Sequence, residues 1–477
     1  MPKVADIAET NPIIKKFEII GLNGFKNLAL NTPTCVRIVV AENGTGKTTL
    51  LNALYAVLTR RLSKLHQIKF SKIIIQFEGY EKFEFERAEI FPTELKPLNS
   101  SAFAEITEYG VTEEELYEFY SEIGPNFDPR KTRTHEVFRK VYANGPYDPS
   151  ESTRLLRRAM PALERTQVYT GLTSYITKAM GDLEVLYLPT FRRIEVEFNK
   201  YEKSKARHHS LFETVQPEKE DNDETLMWFG MGDVEAQLDH IKSTIQSETF
   251  TAYSRLSVQS LEDLLSPDTK TPEPIPSDNK SLGDQLRLVL ARLGQAEGQA
   301  GARILELIET EEINGHAFDS LRSYLFQMLE IYKSTQKDEQ SIEGFVKVIN
   351  KYWVASAFES SSQAEKAFIF DKMSLDIDIR TPYSSNPVKL AQLSSGEKQI
   401  VSIFAKLHLQ KEKKFIVLID EPELSLSMAW QRLFLLDILE SPSCAQLIAI
   451  THSPFIFENE LDDYAQPLYV TYERIDA

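Results

Sequence analysis

Hydrophobic positions near the two ends of the chain follow the pattern of an α/β domain. Three runs rich in isoleucine and valine predict strands at Phe17–Leu22, Cys35–Val40 and Ile73–Phe77. Apolar residues at helical spacing between the second and third runs predict a helix at Lys47–Leu62. Strands are again predicted near the C-terminus, at Ser374–Arg380, Phe415–Ile419 and Gln446–Ile450. The last two are apolar without alternation, which is typical of strands buried on both faces of a parallel sheet.

The middle of the chain has a different pattern, in which helical periodicity is interrupted by polar loops. Apolar residues recur there at spacings of three and four, as at Val234, Leu238, Ile241 and Ile245. Mobile loops are predicted near residues 200–224, which are dense in charge, and near residues 266–281, which contain four prolines. No heptad pattern is sustained, which disfavours a long coiled-coil arm. We therefore divide the chain into an N-terminal α/β part (1–85), a mostly helical insertion (86–365) and a C-terminal α/β part (366–477).

A glycine-rich loop between the second strand and its helix predicts a phosphate-binding site. The run A-E-N-G-T-G-K-T from Ala41 to Thr48 matches the P-loop pattern, except that Ala41 replaces the first glycine. Glycines allow backbone N–H groups to converge on phosphate oxygens, and the helix N-terminus adds a favourable dipole. In such a loop the lysine, Lys47, bridges the β- and γ-phosphates of ATP, and the Thr48 hydroxyl binds Mg²⁺. The predicted nucleotide-binding residues are Asn43, Gly44, Thr45, Gly46, Lys47, Thr48 and Thr49.

An apolar strand that ends in two acidic residues predicts the metal partner and the catalytic base of the same site. The run F-I-V-L-I-D-E-P begins at Phe415 and places Asp420 and Glu421 directly after the strand. We predict that Asp420 holds Mg²⁺ through its water shell. Glu421 is predicted to polarise the water that attacks the γ-phosphate.

Two further motifs are predicted to reach the same phosphate. The run L-S-S-G-E-K-Q begins at Leu393 and precedes a helix, so Ser394, Ser395, Gly396 and Glu397 form a second phosphate-binding cap. Two caps on one γ-phosphate are most simply supplied by different subunits, which predicts a head-to-head homodimer. His452 follows the strand that ends at Ile450, at the strand edge where α/β sheets collect ligands, and we predict that it contacts the γ-phosphate as a catalytic residue.

Composition limits the class of protein further. The chain has 477 residues, 54 Lys plus Arg against 71 Asp plus Glu, and a formal net charge of −17. This acidity argues against nucleic-acid binding through overall charge, but it does not exclude binding through a local basic face. Only two cysteines occur, so the sequence contains neither a disulfide framework nor a Cys-rich zinc site. No signal peptide or membrane-length apolar run is visible, and we predict a cytoplasmic protein without membrane contact.

The four motifs, in their order along the chain, resemble the head of the ABC-type ATPases, in the group shared by the SMC, RecF and OLD proteins. The resemblance covers about Ile13–Tyr80 and Phe368–Ile475, and it implies an α/β fold: a P-loop ATPase head with a mixed sheet and flanking helices, split by a large helical insertion. It also implies ATP and Mg²⁺ as cofactors. In this group a histidine usually follows E-P-E-x-S-L, and Ser427 replaces it here, whereas the W-Q pair that often follows is supplied by Trp430 and Gln431.

Two segments inside the insertion are similar to the ATPase subunit of Septu anti-phage systems, including those attached to retrons. These are Y-L-P-T-F-R-R-I-E at Tyr187–Glu195 and F-G-M-G-D-V-E at Phe229–Glu235. The resemblance implies an ATP-hydrolysing sensor and scaffold that controls a separate HNH-type nuclease, with a reverse transcriptase and retron DNA as further partners. Arg192 and Arg193 fit either a nucleotide or dimer-seam contact, or a solvated surface pair. The basic run 192–207 fits either a DNA contact or a mobile solvated loop.

Three other classes of protein use related motifs. An OLD- or Gabija-type ATP-gated nuclease carries a Toprim domain after the head, but only 25 residues follow His452 and no acidic metal cluster is evident. Asp376 and Asp378 are interpreted as neighbours on the solvent side of a strand. A RecF- or SMC-type DNA-repair clamp would need a long coiled coil or a strongly basic face. A transporter ATPase would dock on membrane subunits, whereas the N-terminal F-E-I-I-G-L-N-G-F-K-N pattern resembles the SMC group.

Overall fold

The structure is a computed structural model of the 477-residue chain. It describes residues 8–42, 44–90, 100–112, 115–116, 119–120, 123, 129–159, 167–189, 230–265, 280–292, 299–310, 312–359, 365–410 and 412–472. The strands are β1 (Ile14–Leu22), β2 (Lys26–Asn31), β3 (Val36–Val40), β4 (Lys72–Phe77), β5 (Phe83–Glu86), β6 (Leu183–Leu188), β7 (Ala367–Asp371), β8 (Asp376–Thr381), β9 (Ser384–Val388), β10 (Lys414–Asp420), β11 (Cys444–Thr451), β12 (Ala465–Pro467) and β13 (Tyr469–Tyr472).

The helices are α1 (Lys47–Leu58), α2 (Arg87–Ile90), α3 (Ser100–Glu108), α4 (Pro129–Thr134), α5 (Glu136–Asn144), α6 (Pro149–Arg158), α7 (Gln167–Met180), α8 (Met231–Leu265), α9 (Lys280–Arg292), α10 (Gln299–Glu309), α11 (Asp319–Glu359), α12 (Ser395–Leu409) and α13 (Met428–Glu440). The predicted loop at 200–224 lies outside the described residues, as do residues 266–279 of the second predicted loop. Its last two residues, Lys280 and Ser281, begin α9.

A five-stranded parallel sheet in the order β12-β3-β11-β10-β6 forms the centre of the fold. Its strands β3, β10 and β11 come from the two α/β parts predicted at the chain ends. The edge strand β6 comes from the predicted insertion and pairs with β10, from Leu183 opposite Lys414 to Leu188 opposite Ile419. The mostly helical middle segment therefore also contributes a strand to the central sheet.

A second, antiparallel sheet in the order β13-β2-β1-β4-β5 lies over α1. The hairpin that joins β1 to β2 turns at Asn23 and Gly24, both with positive φ (53° and 86°), a conformation that asparagine and glycine adopt readily. The sequence predicted β1 and β4 but not β2, β12 or β13. These three strands are short and depend on pairing with a neighbour, β2 with β1, β12 with β3 and β13 with β2, rather than on a long hydrophobic run of their own.

Helix α1 ends at Leu58, four residues earlier than its apolar spacing predicts. Arg60 adopts a left-handed conformation with φ of 60°. The backbone N–H of Arg61 then donates to the Ala56 carbonyl, and that of Arg60 donates to the Val57 carbonyl. This pair of hydrogen bonds is the Schellman pattern, which satisfies carbonyls at the helix end and stops the helix.

Alternate residues of β10 enter different hydrophobic cores, because side chains of a strand point to opposite faces of its sheet. The first core contains Phe415, Val417 and Ile419 and is completed by parts of α8, α11, α12 and α13. The second core contains Ile416 and Leu418 and is completed by α1, α7 and the antiparallel sheet. The central sheet thus separates α1 from α12.

The two longest helices, α8 with 35 residues and α11 with 41, pack against each other in opposite directions. The N-terminal half of α8 and the C-terminal half of α11 lie in the first core. Their other ends form a third core with α9 and α10, around Leu256, Leu286, Leu307 and Leu325. The sequence has no heptad pattern that would predict this pairing. The two helices are held together by additional elements at both ends and do not need a continuous two-helix seam.

The C-terminal end of α11 is attached to the helix that follows β10. The Trp430 indole N–H donates to the Tyr352 carbonyl at 2.8 Å, and the two rings pack edge to face. Lys351 forms an ion pair with the buried Asp437 at 2.6 Å. Further along, the Arg292 side chain of α9 pairs with Glu339 of α11 at 2.8 Å, with both side chains 2% exposed. Helices α9, α11 and α13 are therefore joined by polar contacts as well as by apolar packing.

A separate helical module, residues 100–159, has its own core around Ile106, Phe119, Phe138 and Leu156. Among the described helices, none combines the length and apolar character that a membrane crossing requires. The described elements have the predicted fold class: an α/β P-loop ATPase-type head with a mixed set of sheets, divided by a large and mainly helical region.

Candidate functional site

The predicted site residues meet at the carboxyl edge of the parallel sheet. The P-loop follows β3. Asp420 ends β10 and Glu421 follows it, while Thr451 ends β11 and His452 follows it; β11 lies between the other two strands. Asp420 is opposite Ile450 and Thr451 is opposite Val40 in the strand registers, so the three ends are level. Ligands of α/β sheets bind at such an edge.

The P-loop owes its conformation to two glycines. Gly44 and Gly46 have φ of 80° and 101°, values that residues with a Cβ rarely adopt. A Cβ at Gly46 would also lie 3.0 Å from Leu28 Cδ1. The turn is closed by the Thr45 hydroxyl, which donates to the Glu42 carbonyl at 2.8 Å. Asn43, also predicted to bind phosphate, lies outside the described residues.

The Lys47 ammonium is buried between two oxygens. It donates to the Ala41 carbonyl at 3.0 Å and pairs with Glu421 Oε1 at 3.1 Å, and its side chain is 4% exposed. Ala41, the departure from the P-loop pattern, therefore contributes its carbonyl to the lysine. In this arrangement the predicted phosphate ligand and the predicted base neutralise each other.

Thr48 and Asp420 form the pair predicted to hold the metal. The Thr48 hydroxyl donates to Asp420 Oδ2 at 2.7 Å, and Asp420 is 1% exposed. A hydroxyl and a carboxylate at hydrogen-bonding distance are hard oxygen donors of the kind that Mg²⁺ takes together with water and phosphate oxygens. These two side chains therefore fit the metal that the motif implies.

Glu421 has a strained backbone, with φ of 49° and ψ of 57°. Its backbone N–H donates to the Ile450 carbonyl at 2.9 Å, which fixes the strand exit, and Pro422 follows at once as the first residue of a short 3-10 helix. A non-glycine residue in this region costs of order 1–3 kcal/mol and persists only where its surroundings impose it. The conformation turns the Glu421 side chain towards Lys47.

Glu423 is a site residue to which the sequence analysis assigned no role. Its carboxylate accepts from the Thr451 hydroxyl at 2.8 Å and from the His452 backbone N–H at 3.0 Å. It also lies 3.0 Å from His452 Nδ1, whereas Glu421 Oε1 lies 3.8 Å from that nitrogen. In the sequence, the feature that could have indicated this role is the second glutamate of the E-P-E run. Glu423 thus fixes the position and ring orientation of His452.

The helix after β10 holds the same loop from its other side. Gln431 donates to the carbonyls of Glu423 and Leu426, and it accepts from the Ser453 hydroxyl at 2.9 Å. Ser427, at the position where the resembled group usually has histidine, caps this helix by accepting from the Trp430 N–H. In this chain the residue at that position therefore serves as a helix cap.

A second cation lies beside the P-loop. Lys26 Nζ donates to the carbonyls of Gly44 and Thr45, at 3.3 Å each, and lies 5.7 Å from the centre of the Tyr472 ring. Tyr472 in turn stacks on Phe25 with the ring planes 11° apart. In the sequence, the F-K-N run resembles a pattern of the SMC group. Nothing in the sequence indicated that β13 would pair with the strand that contains Lys26.

The second phosphate-binding cap does not join this group of residues. Ser394 and Glu397 form a reciprocal capping box at the start of α12, and Ser394 and Ser395 are exposed. Burial tends to raise the pKa of Glu397, but hydrogen bonds from Lys366 and Ser394 outweigh it and lower that pKa below its ordinary value. Since α12 packs in the first core and α1 in the second, the sheet lies between this cap and the P-loop.

Two pairs of candidate residues remain, Arg192 with Arg193 and Asp376 with Asp378. Arg192 and Arg193 lie outside the described residues. Asp376 pairs with Lys242 of α8 and Asp378 pairs with Arg380, so each carboxylate of this strand has a cationic partner. Within the part of the chain that the structure describes, no group of three or more His, Cys, Asp or Glu side chains is arranged to hold a metal ion.

Comparison with known proteins finds one family match, in the C-terminal part of the chain. Residues 335–458 match the family described as "AAA domain, putative AbiEii toxin, Type IV TA system". This stretch contains the predicted second cap, Asp420, Glu421 and His452, and it therefore resembles an AAA-type ATPase domain. No curated protein matches the chain.

Two solved structures also match over nearly the whole chain. One is the Smc head domain with an extended coiled coil bound to the C-terminal domain of ScpA, derived from Pyrococcus furiosus. It shares 13% sequence identity with this chain, spans 96% of each chain and has a TM-score of 0.33. The other is an Smc head bound to the C-terminal winged-helix domain of ScpA, with 13% identity, spanning 97% of this chain and 98% of the other, at a TM-score of 0.32.

Removing the Glu423 carboxylate should disturb the site without emptying it. In Glu423→Ala the Thr451 hydroxyl and the His452 N–H lose their buried acceptor, which should destabilise the fold by about 1–3 kcal/mol. We expect ATP turnover to fall at least tenfold with nucleotide affinity little changed, as measured by phosphate release and by equilibrium binding. Glu458→Ala, which removes an exposed carboxylate six residues after His452, is the control. Unchanged turnover in Glu423→Ala would show that His452 needs no such support.

Proposed function

We propose that this chain is the ATP-binding and ATP-hydrolysing sensor and scaffold subunit of a bacterial anti-phage defence complex. In this proposal it dimerises through composite ATP sites and controls a separate nuclease. The observation that carries the ATPase part is the convergence of Lys47, Thr48, Asp420, Glu421 and His452 at one sheet edge. The AAA-type domain match over residues 335–458 supports the same activity.

The Lys47–Glu421 ion pair suggests how nucleotide binding prepares hydrolysis. A γ-phosphate placed in the P-loop competes with Glu421 for the Lys47 ammonium, since phosphate carries more charge than the carboxylate. Glu421 is then released to orient the attacking water, and Lys26 and Lys47 balance the charge of the phosphate chain. His452, held by Glu423, faces the same space from the end of β11.

Thr48 and Asp420 are the residues that would hold Mg²⁺. When bound, the ion supplies positive charge that neutralises phosphate oxygens during transfer. Asp420 is suited to this role because it is buried and already oriented by the Thr48 hydroxyl. Phe25 and Tyr472 extend the site beyond Lys26 as an exposed aromatic surface on which an adenine base could stack.

Two single substitutions should separate binding from hydrolysis. Lys47→Ala removes the main phosphate ligand and should abolish ATP binding, whereas Glu421→Gln should still bind ATP with Mg²⁺ but lose turnover. Equilibrium binding of a fluorescent ATP analogue and phosphate release measure the two steps. Hydrolysis at the wild-type rate by Glu421→Gln would overturn the assignment of the catalytic base.

The dimer part of the proposal rests on the position of the second cap. The exposed Ser395 and its neighbour Gly396 begin α12 on the opposite side of the central sheet from the P-loop helix. The hydrogen bonds and ion pairs of the described residues include none between this cap and the P-loop. A second subunit facing the first brings its cap to the γ-phosphate, so each complete site takes Lys47 from one subunit and Ser395 from the other.

Mixing two inactive variants should restore activity if sites are shared. Lys47→Ala removes one half of a site and Ser395→Arg blocks the other half. A heterodimer of the two then keeps one intact site, and we expect up to half of the wild-type turnover per heterodimer. Each variant alone is the control. Affinity tags on both chains show whether heterodimers form. If they form and yet hydrolyse no ATP, the two subunits do not share ATP sites across the interface.

The defence role is supported by resemblance rather than by the site itself. The segments at 187–195 and 229–235 are similar to the Septu ATPase subunit, and the matched family includes a toxin description. A DNA-repair clamp of the RecF or SMC type would use the same ATP site. A nuclease on a separate chain is what the Septu resemblance implies, whereas an OLD-like chain would cut DNA itself.

The nuclease assignment is tested by cleavage assays with the purified chain. We expect no DNA cleavage with Mg²⁺ or Mn²⁺, with or without ATP, and cleavage once the product of the neighbouring gene, an HNH-type enzyme, is added. ATP-dependent control requires only that this partner prefers one nucleotide state, and a tenfold preference corresponds to about 1.4 kcal/mol. Robust cleavage by the chain alone that survives loss of Asp420 and Glu421 would contradict the two-protein arrangement.

A further inference from the structure

Charge is strongly segregated within the helical module of residues 100–159. Residues 100–128 contain eight acidic and no basic residues, whereas residues 129–158 contain eight basic and three acidic residues. The second half is therefore a positively charged island in a chain whose net charge is −17. Both halves pack on the same core, so the folded module has an acidic and a basic part.

The arginines of α6 occupy its solvent side. Ser152, Leu155 and Leu156 are buried against the module core. Exposed arginines occur at 154, 157 and 158, which helical geometry places together on the opposite face. Arg157 and Arg158 lie in the last turn of α6, where the helix dipole favours basic residues. Arg154 lies before that turn, so the dipole does not explain its presence.

Two neighbouring helices add exposed arginines and an aromatic ring. Arg133 of α4 and Arg139 of α5 are exposed. Tyr142 lies three residues after Arg139 on the same helix face, is 48% exposed and stacks on Phe138 with the ring planes 8° apart. These two helices pack against each other and against α6, and we call the exposed arginines and tyrosine of the three helices the arginine face: Arg133, Arg139, Tyr142, Arg154, Arg157 and Arg158.

Nearby carboxylates are engaged elsewhere. Asp148 and Glu151 form the capping box at the start of α6, and Lys140 takes up Glu115 and Glu136 in ion pairs. Of the described carboxylates, none lies within ion-pair distance of the arginines at 133, 139, 154 or 158. Within the part of the chain that the structure describes, the positive charges at 133, 139, 154 and 158 are thus not neutralised by an ion pair.

We propose that the arginine face binds nucleic acid through the sugar-phosphate backbone. Guanidinium groups match phosphate oxygens in a two-pronged geometry, and an exposed tyrosine beside them offers stacking to an unpaired base. This function goes beyond ATP hydrolysis, and it places a nucleic-acid contact on the helical module rather than on the residues after Arg192.

The test compares two triple variants of the full-length chain that lose the same charge. Arg154→Gln/Arg157→Gln/Arg158→Gln removes three arginines of the face, and Arg255→Gln/Arg287→Gln/Arg303→Gln removes three exposed arginines from α8, α9 and α10. Fluorescein-labelled duplex DNA, single-stranded DNA and RNA serve as probes in anisotropy titrations over a range of salt concentrations. ATP turnover and circular dichroism confirm that each variant is folded.

The first triple variant should bind its preferred probe at least tenfold more weakly than wild type. The slope of log affinity against log salt concentration should fall by about 2–3, since each lost phosphate contact contributes about 0.9 for duplex DNA. The control should behave like wild type. If the first variant does not fold, Arg133→Gln/Arg139→Gln provides the same comparison from the neighbouring helices.

Three results would overturn the proposal. The first is that wild-type protein binds none of the probes at low salt. The second is that the two triple variants lose equal amounts of probe affinity. The third is that polyglutamate displaces the probe as effectively, per charge, as unlabelled DNA does. The last result would instead identify the arginine face as a docking surface for an acidic protein. ATP turnover is unaffected by any of these results, so they are independent of the proposed catalytic function.

Discussion

The burial of β10 on both of its faces is the constraint from which the arrangement of the site follows. A strand whose alternate side chains enter two cores needs helices on each side, and α1 occupies one side while α11, α12 and α13 occupy the other. Polar residues are excluded along its length and collect where it ends. Asp420 and Glu421 therefore lie at the edge that also receives the P-loop, while the cap of α12 remains behind the sheet.

The polar contacts at this edge form a connected set rather than separate ligands. Glu421 neutralises Lys47, Asp420 orients Thr48, and Glu423 holds Thr451 and His452. Each of these side chains thus has at least one polar partner before any nucleotide is present, which lowers the cost of burying it. In the proposed ATPase, a phosphate group replaces Glu421 as the partner of Lys47.

Much of this could be predicted from the sequence, because the parallel strands and the P-loop are specified locally. Continuous apolar runs identified β10 and β11, and two glycines next to Lys47 identified the loop. Contacts between distant parts of the chain could not be predicted. Glu423 reads as an ordinary surface glutamate until β11 is placed beside it, and Tyr472 approaches Lys26 only because β13 pairs with β2. The pairing of α8 with α11 likewise depends on elements at both ends.

The length of α11 has a mechanical consequence. At about 1.5 Å per residue its 41 residues span roughly 60 Å, and one end is fixed to α13 by Trp430 while the other lies in the third core. A rod held in this way converts rotation into displacement, since a tilt of about 5° at the sheet moves the far end by roughly 5 Å. A small rearrangement around the helix that follows β10 would therefore become a movement as large as a helical turn at the end of α11 that lies in the third core.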